Sequence, residues 1–177
     1  MQEQRAVGTE SKCEGALDRL AGKYMTFKLG DENYALPILT VREIIGLMEV
    51  TRVPRTAEYV RGVINLRGRV IPVVDLRVKF GMPAVEATDQ TVIIVVQYAH
   101  ASGDLTIGLL VDQVVEVLDI AVAQIEPPPK FGVVDIDTNF LLGVGKAGDR
   151  VTFLLDTQEV LSFSESENIR LLSDAGA

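Results

Sequence analysis

The sequence carries the same short patterns twice, in the same order. Arg69-Val70-Ile71-Pro72-Val73-Val74-Asp75 matches Arg150-Val151-Thr152-Phe153-Leu154-Leu155-Asp156, with Arg, Val and Asp at identical spacing and apolar residues at the closing positions. Upstream of each copy, Ala35-Leu36-Pro37-Ile38 with Val41 and Glu43-Ile44 aligns with Gly108-Leu109-Leu110-Val111, Val114 and Glu116-Val117. An ordered pair of echoes predicts two related units, at about 22–85 and 86–160. A unit of ~60 residues buries only about 60% of its chain surface. Neither would stand alone, so the two are expected to share one core and fold as one body.

The units read as β-rich. Tyr24–Leu29 alternates and is followed by the turn residues Gly30-Asp31-Glu32-Asn33, so a hairpin with Tyr34–Ile38 is expected, with Pro37 at a strand edge or end. Ile38–Ile45 fits neither the helical nor the strand period. A short helical turn is expected at Thr56–Val60, then Gly62–Leu66, a tight turn at Arg67-Gly68, and the strand Arg69–Val74. Asp75 has the chemistry of an N-cap for a short helix ending near Gly81. Further strands are expected at Thr91–Tyr98, Leu105–Val111 and Val114–Leu118, and a last hairpin at Phe140–Leu155. Residues 1–21 read as an arm outside the domain at 22–165, and the tail 166–177 as partly helical. Many short strands with few helices give a mainly β barrel or sandwich.

Composition removes most function classes. The 177 residues carry a net charge of −8 without a visible basic stripe, which disfavours nucleic acid and anionic membrane surfaces. No apolar run approaches the roughly 20 residues of a spanning helix. Met1-Gln2-Glu3-Gln4-Arg5 lacks the order of a secretory signal, so a cytoplasmic protein is expected. Cys13 is the only cysteine, which leaves no internal disulfide and no cysteine cluster for zinc, and neither a metal nor a cofactor is expected. His100, the only histidine, lies with Ser102 and Asp104 in one polar gap; triad members normally converge from distant segments, so a solvated turn is the better reading. Gly143-Val144-Gly145-Lys146-Ala147-Gly148 satisfies G-x-G-x-x-G, yet a β run follows where a helix is required. A small nucleotide-binding enzyme built on that loop is thus the remote alternative to a non-enzymatic binding protein.

Tyr59–Arg77, with its core Gly62-Val63-Ile64-Asn65-Leu66-Arg67-Gly68, closely resembles the central signature of the CheW family of bacterial chemotaxis coupling proteins. The resemblance continues through Tyr34–Ile44, Gly108–Asp112, Leu141-Leu142-Gly143 and Gly148-Asp149-Arg150, and covers most of 22–165. It implies two SH3-like five-stranded β-barrels packed on a shared hydrophobic core. It also implies a scaffold that joins the cytoplasmic tips of methyl-accepting chemotaxis receptors to the CheW-like regulatory domain of the histidine kinase CheA, beneath the inner membrane. An adaptor of the same fold in another chemosensory or motility pathway is the alternative. The resemblance places a receptor helix in an apolar groove formed by Met25, Ile38, Val41, Ile44 and Val114; Met25 and Ile44 fit a core position equally well. It places Glu43 and Arg67 on the signalling surface as a pair, and Gly62 near the kinase contact. Phe131 aligns with an aromatic of a second kinase contact, and a barrel plug would suit it as well.

Overall fold

The computed structural model describes residues 20–98, 103–127, 141–147, 149–157 and 159–160. The first repeat comprises β1 (Gly22–Leu29), β2 (Glu32–Pro37), a 3-10 turn (Ile38–Thr40), β3 (Val41–Gly46), β4 (Val60–Leu66), β5 (Arg69–Asp75) and α1 (Leu76–Lys79). The second comprises β6 (Val92–Tyr98), β7 (Leu105–Val111), β8 (Gln113–Ile120), a 3-10 turn (Val122–Gln124), β9 (Ile125–Glu126), β10 (Leu141–Ala147) and β11 (Arg150–Leu155). Pro37 closes β2, where its missing N–H costs the ladder least. The Asp75 carboxylate accepts from the Arg77 and Val78 N–H groups and so caps α1 as expected. The ambiguous stretch resolves into both candidates, a 3-10 turn followed by a strand. Thr56–Val60 contracts to turns, with the N–H of Val60, the first residue of β4, donating to the Ala57 carbonyl.

Two sheets form, with strand orders β8-β1-β2-β11-β10-β9 and β3-β6-β7-β5-β4. The mainly β architecture on a shared core is the one expected, but the division of the chain is not. Neither sheet belongs to one repeat: each takes the first two strands of one and the last strands of the other. The physical reason lies in two parallel pairings, β2 with β11 and β5 with β7. A parallel neighbour cannot be reached by a tight turn, and here it comes from the other repeat. The expected boundary at 85/86 is therefore a boundary in sequence and not between sheets.

Across this exchange the repeats correspond residue by residue. Ala35 lies beside Leu154 in one sheet and Gly108 beside Val73 in the other. Phe27 pairs with Val114 and Thr26 with Glu116, skipping Val115; Val96 pairs with Val41 and Val95 with Glu43, skipping Arg42. The same bulge thus occurs twice. The strand counts differ from the expected five and five because β9 adds a sixth strand to one sheet, while its counterpart is the single bridge between Thr51 and Val63.

Three apolar clusters fill this frame. Ile64, Ile71, Val73, Ile93 and Val95 pack within the five-stranded sheet, and Tyr24, Ala35, Ile120, Ile125 and Leu154 within the six-stranded one. Met25, Phe27, Leu36, Val74, Ile94, Val96, Leu109 and Leu155 form the shared core between them. Ile93 and Val95 point one way along β6 and Ile94 and Val96 the other, which is why Val92–Val96 is continuously apolar. Leu20 and Ala21 pack on the six-stranded cluster, and the Tyr24 hydroxyl donates to the Leu20 carbonyl. The expected arm at 1–21 therefore ends at least two residues early, because the apolar pair finds a place in the core.

Candidate functional site

Cross-strand pairing decides which face of an edge strand each residue takes. On β3, Val41 and Ile44 lie opposite Val96 and Ile94, both members of the shared core, whereas Glu43 and Ile45 lie opposite Val95 and Ile93. On β8, Val114 and Val117 lie opposite Phe27 and Met25 in the same way. Ile38, Val41 and Val114 are half-buried and pack on the shared core, forming an apolar rim that is not closed over. Ile44 is 44% exposed. Met25 is only 1% exposed, so its assignment to a contact groove is corrected: it lies on β1, between β8 and β2, with its side chain in the shared core. The residue the sequence reading missed is Val117, 53% exposed and the structural equivalent of Ile44. The echo itself aligned the two, so the signal was present. Leu39, 94% exposed beside this rim, was also missed.

The Glu43 and Arg67 side chains meet as a bidentate pair, Nη1 to Oε1 at 3.1 Å and Nη2 to Oε2 at 3.0 Å. Arg67 occupies the first turn position between β4 and β5 with φ 53°, and Gly68 follows with φ 84°. Positive φ at both positions marks the tight hairpin turn that suits twisted strands, normally filled by Asn-Gly or Gly-Gly. The Asn65 side chain fixes it by accepting from the Gly68 N–H at 2.9 Å. An arginine here bears a left-handed strain of about 1 kcal/mol, roughly what an exposed ion pair returns. Stability does not account for its presence. The pair borders a cleft of about 440 Å³ that also takes in Arg42, Arg69, Gln97 and Asp104.

Gly62 has φ 143°, and a Cβ there would lie 2.1 Å from the Thr51 carbonyl oxygen. The Thr51 and Val63 backbones exchange hydrogen bonds of 2.8 and 2.9 Å at this crossing, so the glycine is demanded by close backbone approach. Its equivalent, Gly143, faces the Glu126 carbonyl in the same way, at 2.8 Å. Gly143 and Gly145 sit inside β10, which forms a hairpin with β11, so the glycine pattern opens on no helix. Phe131 and His100 lie outside the described residues.

Asp112 joins three segments. It accepts from the Gly30 N–H at 2.8 Å and from Arg77 Nε at 2.7 Å, with Arg77 Nη2 also in contact. Burial pushes the Asp112 carboxyl up, but the Arg77 guanidinium and the Gly30 N–H outweigh it and hold the pKa below its ordinary value. Among the described residues no cluster of His, Cys, Asp or Glu could hold a metal ion, and no helix is long and apolar enough to cross a membrane.

A model of the CheW-like domain matches residues 23–165. The chemotaxis protein CheW of Klebsiella aerogenes is 38% identical over 159 residues, 90% of this chain and 92% of its own. That of Helicobacter pylori is 37% identical over 139 residues, 78% of this chain and 81% of its own. The crystal structure of the scaffolding protein TtCheW from Thermoanaerobacter tengcongensis superposes with a TM-score of 0.70 at 35% identity, covering 80% of this chain and 88% of that one.

Proposed function

The chain belongs to the CheW family, and from that premise we propose that it is a non-enzymatic scaffold coupling methyl-accepting chemoreceptors to the histidine kinase CheA. It works in the cytoplasm, held beneath the inner membrane by the receptor array. The observation that carries this reading is the open apolar rim of Ile38, Val41 and Val114 on the shared core, extended by Ile44 and Val117. An amphipathic helix laid on such a rim covers apolar surface that the fold leaves uncovered. Relatives named as chemotaxis and scaffolding proteins support the same role. Gly62 and Phe131 are assigned to two kinase contacts, and Glu43 with Arg67 to the signalling surface.

Pull-down with a receptor cytoplasmic fragment and, separately, with the CheA regulatory domain tests the proposal. Wild type captures both, and failure to capture either overturns it. Val41→Asp weakens receptor capture more than kinase capture, because it puts a charge on the rim. Phe131→Ser leaves each pairwise complex intact and abolishes extended array formation, scored by electron microscopy of reconstituted assemblies.

A further inference from the structure

The cleft beside Arg67 concentrates cations on an acidic chain. Arg42, Arg67 and Arg69 line it, against the carboxylates of Glu43 and Asp104, although the chain as a whole carries −8. Separate devices bring the arginines together. Arg42 is the extra residue of the β3 bulge, a feature that re-aims a side chain. Arg67 is held by the left-handed turn, and Arg69 opens β5. Glu43 occupies Arg67, Gln97 donates to Asp104, and Arg42 and Arg69 have no ion-pair partner among the described residues. At the positions that correspond in sequence the second repeat has Val115, Gly148 and Arg150, so the concentration is not a by-product of the repeat.

We infer that this cleft is an acidic-segment site: it receives carboxylates from the flank of the same helix that seats its apolar stripe on Val41. This rests on the scaffold reading and specifies the chemistry of its partner. β3 ends its sheet, so a helix lying along that edge reaches both the face with Val41 and Ile44 and the mouth with Arg42 and Glu43. The bidentate Glu43–Arg67 pair shows that the cleft holds a carboxylate with good geometry. Glu43 then acts as a resident competitor, displaced from Arg67 as the partner's carboxylate arrives.

The test uses the full chain and a receptor cytoplasmic fragment, with affinity measured by calorimetry from about 50 to about 300 mM NaCl. Arg42→Gln with Arg69→Gln lowers affinity about tenfold at low salt and flattens the salt dependence. Glu43→Gln raises affinity about threefold, because the competitor is gone. Unchanged receptor affinity in the double variant, or a loss in Glu43→Gln as large as that in the double variant, overturns the acidic-segment site while leaving the scaffold reading intact. No binding by wild type overturns the scaffold reading instead. Binding of wild type, but not the double variant, to phosphatidylglycerol vesicles reassigns the cleft to lipid and overturns the inference.

Discussion

The two repeats agree where the fold needs them to and differ where a partner could be met. The paired bulges, the paired backbone crossings at Gly62 and Gly143 and the parallel registers recur position for position. At the position following Ile38 in one repeat and Val111 in the other, the correspondence fails. There the second repeat has Asp112, clamped by Arg77 and Gly30, and the first has Leu39, almost wholly exposed. One end of the molecule is sealed by charge and its counterpart is left open and apolar. The differences between the halves, and not their shared pattern, single out the surface proposed to meet a partner.

The strongest way to break this comparison is at the paired glycines. Gly62→Ala meets the Thr51 carbonyl at 2.1 Å with unfavourable φ, whereas Gly143→Ala meets Glu126 at 2.8 Å. We expect a loss of about 3 kcal/mol for the first and roughly half that for the second in urea unfolding; equal losses would show that the closer approach and positive φ at Gly62 do not set the cost. Next comes the clamp. Asp112→Asn costs about 2 kcal/mol near neutrality. Because the folded pKa of Asp112 lies below its unfolded value, its contribution is complete above the unfolded pKa of ~3.9 and disappears as pH falls through the lower folded value. Wild type and variant should therefore converge in acid, which pH-dependent denaturation reads directly.

Smaller effects sharpen the comparison. Arg67→Gly removes the left-handed strain together with the exposed pair, so stability changes by less than about 0.5 kcal/mol while receptor capture falls. Leu39→Asp gives the first repeat the residue of the second at that site. Its exposure predicts a stability change within about 0.5 kcal/mol, and a large loss would mean that Leu39 packs against part of the chain.

Much of this frame was legible in the sequence. The echo located equivalent residues correctly, and Asp75, Pro37 and the Arg67-Gly68 turn behaved as their chemistry required. The exchange of strands was not legible, because similarity says which residues correspond and not which copy pairs with which. The two residues of β9 are too few to show a period. In the site, Met25 and Val117 face each other across β1 and β8, and only the sheet order shows that the first is covered while the second lies on the outer strand. Leu39 lies in the stretch that fits neither the helical nor the strand period, so its facing could not be read; its exposure follows from the 3-10 turn that lifts it out.

Strand exchange also fixes when the molecule can exist. β1 finds its neighbour β8 only after Ile120 has been made, and β2 finds β11 only after Leu155. During synthesis the β1–β2 hairpin must wait, with its outer edges unpaired, for nearly the whole chain. Such distant pairings fold slowly. The five-stranded sheet has all its strands once Val111 is made, whereas the six-stranded sheet waits for Leu155, so the core that the two share can close only when nearly the whole chain exists.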